Sequence, residues 1–122
     1  MPLTILVVED EPLVMIDIVD QLKLAGYRVV EAFNADEAIG ILEADPDIRL
    51  LFTDIDMPGS MDGLKLAAAV RNRWPPVKNI ITSGHRTVEA RDMPRGSVFF
   101  AKPYMHSAVI TSISGMLDTP IG

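Results

Sequence analysis

Thr4-Ile5-Leu6-Val7-Val8-Glu9-Asp10-Glu11-Pro12 is the stretch from which the fold can be read. Thr4 to Val8 is short, continuously apolar and rich in β-branched residues. That composition suits a strand buried on both faces, as in a parallel sheet. The run ends in three carboxylates and then in Pro12, a residue favoured in the first turn of a helix. From there apolar residues recur as Leu13, Ile16, Val19, Leu22 and Leu24, and Gly26 is a good stop. The expected unit is a strand, an acidic turn and a helix whose Leu and Ile stripe enters the core.

The unit repeats along the chain. Tyr27–Glu31 reads as a second strand. Asn34-Ala35-Asp36-Glu37 has the form of a capping box. A helix through Ala38, Ile39, Ile41 and Leu42 should stop before Asp45-Pro46. Leu50–Thr53 is a third strand, again followed by acid in Asp54-Ile55-Asp56-Met57-Pro58, with a turn at Gly59 and Ser60. Asp62 can cap a helix from Leu64 to about Arg73, which Trp74-Pro75-Pro76 breaks. Ile80–Ser83 is a fourth strand closed by Gly84. Only a short helix fits around Thr87–Arg91, before Met93-Pro94-Arg95-Gly96. Val98–Ala101 is the fifth strand, Lys102-Pro103 ends it, and a last helix runs from Tyr104 to about Leu117 with Ala108, Val109, Ile113, Met116 and Leu117 as its apolar set. Such alternation calls for right-handed crossovers and a parallel sheet with helices on both faces. The expected class is α/β: a flavodoxin-like, doubly wound five-stranded parallel sheet of order 2-1-3-4-5, with a shortened fourth helix.

Composition is consistent with one domain over residues 1–122. Hydrophobic residues make up 48% and charged residues 23%, an ordinary globular mixture. No stretch approaches the roughly 18 unbroken apolar residues of a membrane span. The N-terminus has neither the basic start nor the cleavage site of a signal peptide, so a cytoplasmic location is expected. The absence of cysteine excludes disulfides, thiolate metal sites and cysteine catalysis. A net charge of −6 argues against a large nucleic-acid-binding surface. Residues 1–48 carry 11 acids and 2 bases, whereas residues 49–122 carry 6 acids and 9 bases. That asymmetry fits either solvated helix faces or an acidic centre beside a mildly basic docking flank.

In a doubly wound sheet the site lies outside the carboxyl ends of the strands. Glu9, Asp10, Glu11, Asp54, Asp56, Thr82, Ser83 and Lys102 all fall there. Crowded carboxylates repel one another unless a cation sits between them. Hard oxygen donors without His or Cys favour Mg²⁺ over zinc, with positions left for water and a phosphoryl oxygen. A lysine and a hydroxyl suit the remaining phosphoryl oxygens. The chemistry these residues point to is phosphoryl transfer to or from a carboxylate.

Val7-Val8-Glu9-Asp10-Glu11-Pro12, Asp54-Ile55-Asp56-Met57-Pro58, Thr82-Ser83-Gly84 and Lys102-Pro103-Tyr104, in this order and each at a strand end, resemble the receiver domain of bacterial response regulators, the CheY-like family. The resemblance covers about residues 3 to 118. It implies that Asp54 is the phosphoacceptor for a phosphohistidine on a sensor histidine kinase or histidine phosphotransfer protein. Asp10 and Asp54 would hold Mg²⁺ directly, the backbone carbonyl of Asp56 would complete the protein's ligands, and Glu9 would act largely through water. Lys102 would pair with Asp54 and then with the phosphoryl group. Ser83 would bond a phosphoryl oxygen, with Thr82 competing for that role. Phe99 would be the aromatic switch, and Lys102-Pro103 would be a cis bond. Asp56 and His85 would flank the site and tune phosphoryl lifetime. Output would pass to a downstream effector protein, with no direct nucleic-acid or membrane contact.

The chain departs from the commonest pattern in four places. Glu9 stands where aspartate is more usual. Gly59-Ser60-Met61 is one residue longer than the loop of many members. Phe99 lacks a hydroxyl. The segment from Ser83 to Lys102 is short and carries Pro94 and Gly96, which sets the usual output face apart here. Two other readings differ in class. Asp54-Ile55-Asp56 also resembles the Asp-x-Asp of haloacid-dehalogenase-type phosphatases, but those enzymes need a cap and a further acidic pair. A pseudo-receiver would bind partners without phosphorylation, but its usual sign is a lost acid or lysine, and the set here is full.

Overall fold

The computed structural model describes residues 3–117. Its elements are β1 (Thr4–Val8), α1 (Pro12–Leu24), β2 (Arg28–Ala32), α2 (Ala35–Ala44), β3 (Ile48–Asp54), α3 (Gly63–Arg73), β4 (Lys78–Ser83), β5 (Val98–Ala101) and α4 (His106–Leu117). The five strands form one parallel sheet in the order β2-β1-β3-β4-β5. This is the flavodoxin-like topology expected from the alternation of strands and helices. β1 and β3 lie inside the sheet, and every residue of β1 is buried.

Strand alternation divides the core in two. Ile5 and Val7 of β1, Leu50 and Phe52 of β3 and Ile80 of β4 pack against Met15, Ile18 and Leu22 of α1 and Val109 and Ile113 of α4. Leu6, Val8 and Leu51 face the other way, onto Ala35, Ala38 and Leu42 of α2 and Leu66 and Val70 of α3. Both faces of the central strands are therefore dry, which is why their sequences show no polar interruption.

α1 corrects the expected apolar stripe. Its buried residues are Met15, Ile18, Val19 and Leu22, whereas Leu13, Ile16 and Leu24 are 81%, 57% and 81% exposed. The helix carries two overlapping apolar stripes. The one at 15, 18, 19 and 22 has the i, i+3, i+4, i+7 spacing of a core face. α4 begins at His106, later than expected, because Tyr104 stays in the preceding turn and sets its ring edge-on to Phe52 at 5.6 Å. Ala108 lies on the solvent side of that helix.

Helix starts follow the sequence closely. Asn34 Oδ1 accepts from the Glu37 N–H at 2.9 Å, while the Glu37 carboxylate reaches back to the N–H of Phe33, one residue before the cap. Asp62 caps α3 through the Lys65 N–H. The connection from β4 to β5 holds only a 3-10 turn at Ala90–Asp92, capped reciprocally by Glu89 and Asp92. Pro94 and the positive φ of Gly96 (85°) stop it from lengthening. Val88 and Met93 from this connection, with Phe99, still cover Ile55, Ala67 and Ile81. No helix among the described residues is long and apolar enough to cross a membrane.

Candidate functional site

The pleat that sorts the core also assembles the site. Glu9 follows Ile5 and Val7 on their side of the sheet, and Asp54 follows Leu50 and Phe52. Both therefore emerge on the α1–α4 side, at the carboxyl ends of adjacent strands. Asp10 stands beside them at the entry to α1. One ligand oxygen from each of Glu9, Asp10 and Asp54 lies within 4.8 Å of the others. Lys102, just past β5, anchors its N–H on the Ser83 carbonyl at 2.9 Å and extends its side chain into this cluster. Its ammonium lies 2.8 Å from Glu9 Oε1 and 3.3 Å from Asp54 Oδ2.

The lysine arrangement differs from expectation. Lys102 pairs with Asp54 as the resemblance implies, but it approaches Glu9 more closely. Glu9 is nearly fully buried, and its second oxygen accepts from the Glu11 N–H at 3.1 Å. The extra methylene of glutamate lets its carboxylate reach the ammonium directly. Burial pushes the Glu9 carboxyl above the ordinary carboxylate range, and the Lys102 bond only partly offsets it. The same holds for Asp54: burial raises it, the charge of Lys102 opposes the rise, and Asp56 and Asp10 add to it. Burial by itself would lower Lys102, but its bond to Glu9 and the two carboxylate charges outweigh that and raise it. Burial, with the charge of Glu9, also raises the Tyr104 phenol, which therefore stays protonated.

Asp54 Oδ1 is buried and has no hydrogen-bond partner among the described residues. A carboxylate oxygen left in this state lacks most of its stabilisation. A cation among Glu9, Asp10 and Asp54 would satisfy it, and an all-oxygen donor set suits Mg²⁺. The residues present fit that ion.

Ser83 and Asp56 form a second cluster on the α3 side of the cleft. Ser83 Oγ donates to Asp56 Oδ2 at 3.1 Å and accepts from the N–H groups of His85 and Arg86, each at 3.2 Å. Arg86 places Nε and Nη2 on Asp56 Oδ1 at 3.3 and 3.2 Å, and Nη2 lies 3.7 Å from Asp62. Thr82, paired in register with Asp54, is buried with its hydroxyl unpartnered, so it does not join this cluster. The His85 side chain is exposed. Phe99 is partly buried in the small cluster below Ser83. The Lys102-Pro103 peptide is cis, as expected.

Two residues at the site escaped the sequence reading. A Cβ on Gly63 would overlap the Asp54 carbonyl oxygen and lie 2.7 Å from its carbon. The Gly63 N–H donates to the Ile55 carbonyl at 2.9 Å. The first turn of α3 thus rests directly on the backbone that presents Asp54. The pair Asp62-Gly63 was visible as a helix start, but not what the missing side chain makes room for. Arg86 lies in a polar loop without periodicity, where nothing local marks one charge above another.

The response regulator receiver domain family matches residues 5–113. The sequence is 34% identical to the sensor kinase CckA of Brucella abortus (strain 2308) over 119 residues, 94% of this chain and 12% of the kinase. The chain thus spans a small part of the length of that curated relative. The fold superimposes on a response regulator receiver protein from Sinorhizobium medicae WSM419 with a TM-score of 0.90 at 28% identity, covering 97% of this chain and 96% of that one. Against the receiver domain of the hybrid histidine kinase CckA the TM-score is 0.77 at 31% identity, covering 93% and 98%.

Proposed function

The chain belongs to the response regulator receiver domain family of two-component systems, and we propose that it takes a phosphoryl group from a partner phosphohistidine onto Asp54 and changes its partner binding in response. One observation carries this reading. Asp54 has one oxygen 3.3 Å from the Lys102 ammonium and the other buried, unpartnered and close to Glu9 and Asp10. That is a carboxylate held between a fixed cation and a vacant coordination direction.

In the transfer, an Asp54 oxygen forms a bond to phosphorus as the P–N bond to the donor imidazole breaks. The electron pair leaves with the imidazole nitrogen, which takes up a proton. Lys102 exchanges carboxylate contacts for a phosphoryl oxygen, and Ser83 donates to another. Mg²⁺, held by Asp10, Asp54 and the Asp56 carbonyl with Glu9 beside it, would neutralise charge on the phosphoryl oxygens. Self-catalysed loss of the phosphoryl group to water belongs to the same site.

The donor is a sensor histidine kinase or a histidine phosphotransfer protein. A groove of about 450 Å³, lined by Leu13, Val14, Pro103 and Tyr104 with Lys102 at its edge, supports docking beside the acceptor. Leu13 and Ile16 would supply its apolar contacts. The phosphorylated state would then act by binding an effector protein or by passing the phosphoryl group on.

Incubation with a small phosphodonor, followed by intact mass, tests the reading. The wild type should gain one phosphoryl group with Mg²⁺ present and none after chelation. Asp54→Asn should gain none. An equal gain in that variant would refute the assignment of Asp54.

A further inference from the structure

The Ser83 hydroxyl has a single proton, and in this structure it is committed. It points to Asp56 Oδ2 at 3.1 Å, while the two backbone N–H groups at 3.2 Å fill its acceptor side. Asp56 is itself fixed. Arg86 holds its other oxygen through two N–H groups and lies 3.7 Å from the cap of α3 at Asp62. Arg86 also belongs to the loop whose N–H groups orient Ser83. The loop after β4, the loop after β3 and the start of α3 are therefore joined through one carboxylate.

We propose that Asp56, positioned by Arg86, is the resting acceptor of the Ser83 hydroxyl and competes with the phosphoryl group on Asp54 for its proton. This rests on the phosphoacceptor reading of Asp54. Ser83 cannot donate to both groups, so phosphorylation must break the bond to Asp56. The strength of that bond then sets part of the threshold for switching. Asp56 stays satisfied after Ser83 departs, because Arg86 remains on Oδ1. The exchange leaves no buried charge unpaired, so it is reversible at small cost. Arg86 is a positioning residue in this scheme and touches neither Asp54 nor Lys102 among the hydrogen bonds and ion pairs of the site.

The test is a double-mutant cycle read by titration with beryllium fluoride and Mg²⁺, a phosphoryl mimic, followed through backbone amide NMR signals of residues 83–86. Asp56→Ala should tighten uptake about fivefold to tenfold when Ser83 is present, the worth of one charge-assisted hydrogen bond released. In a Ser83→Ala background the same change should have little effect. In an Arg86→Ala background the coupling between Asp56 and Ser83 should fall. A gain of equal size with and without Ser83 would mean that Asp56 acts only through its charge, and would overturn the inference. A coupling unchanged by Arg86→Ala would overturn the role given to Arg86. The resting protein supplies an independent readout: the carboxyl carbon of Asp56 should shift when Ser83 becomes Ala. No shift there overturns the inference while leaving Asp54 untouched. Failure of the wild type to take up the mimic at all would instead bring down the phosphoacceptor reading, and this inference with it.

Discussion

Lys102 reaches from the end of β5 to donate to Glu9, beyond β1, at 2.8 Å, and so stands nearer to Glu9 than to Asp54 at 3.3 Å. One ammonium thus holds two nearly buried carboxylates. Lys102→Ala should leave both without a partner. At neutral pH and without divalent ions it should destabilise the fold by about 1–3 kcal/mol, read by denaturant titration. Added Mg²⁺ should recover most of that loss, because it replaces the missing positive charge. An unchanged midpoint in the variant would mean that solvent already screens the pair.

The raised carboxyls make a prediction about pH. Their ordinary values are 3.8 for Asp54 and 4.5 for Glu9, and burial lifts both in the folded protein. Between each ordinary value and its raised value the folded chain binds more protons than the unfolded one. Stability contributed there is present at low pH and lost as pH rises through the window. Lys102 works over a different range: its raised value adds stability below the ordinary 10.5, lost only as pH rises through the folded value. In metal-free buffer, Asp54→Asn should therefore be more stable than the wild type at neutral pH. Its advantage should shrink as the pH is lowered through the acidic window. Parallel curves for the two proteins would contradict this.

Gly63 gives a steric prediction. Its α-carbon faces the Asp54 carbonyl so closely that an added methyl must displace either α3 or the end of β3. Gly63→Ala should cost about 1–3 kcal/mol. Mg²⁺ affinity should fall at the same time, since the displaced backbone carries Asp54. Calorimetric titration with Mg²⁺ at a temperature where the variant stays folded separates the two effects.

Docking beside the site makes a distinction between donors. Leu13 is 81% exposed and Ile16 is 57% exposed, so polar replacements there should leave the core intact. Leu13→Ser with Ile16→Ser should slow transfer from a histidine-phosphorylated protein donor by about tenfold, the effect of losing one apolar contact of hot-spot size. The rate with a small phosphodonor should stay within about twofold of the wild type. Equal slowing with both donors would place the effect in the site itself rather than in docking.

The parts of the fold that depend on local pattern were legible in the sequence. Unbroken runs such as Leu50–Thr53 betrayed strands dry on both faces, and Asp62 marked a helix start through its cap. Acids at the ends of β1 and β3 located the cleft, because strand alternation leaves them little choice of direction. The face of α1 was not legible, since Leu13 and Ile16 form a second apolar stripe, and only contact with β1 and β3 selects Met15 and Ile18. The closer approach of Lys102 to Glu9 was hidden for a similar reason: residues 93 positions apart meet only once the sheet is assembled. Arg86 and Gly63 owe their importance to neighbours distant in sequence, so no local spacing could announce them.

The most direct test of the account is to locate the phosphoryl group. After reaction with a small phosphodonor and Mg²⁺, borohydride reduces an aspartyl phosphate to homoserine, and peptide mass spectrometry then reads the position. The account predicts homoserine at position 54 and nowhere else, and none when the divalent ion is chelated. Homoserine at Asp10 or Asp56, or a phosphoryl group stable on a serine or threonine, would contradict it.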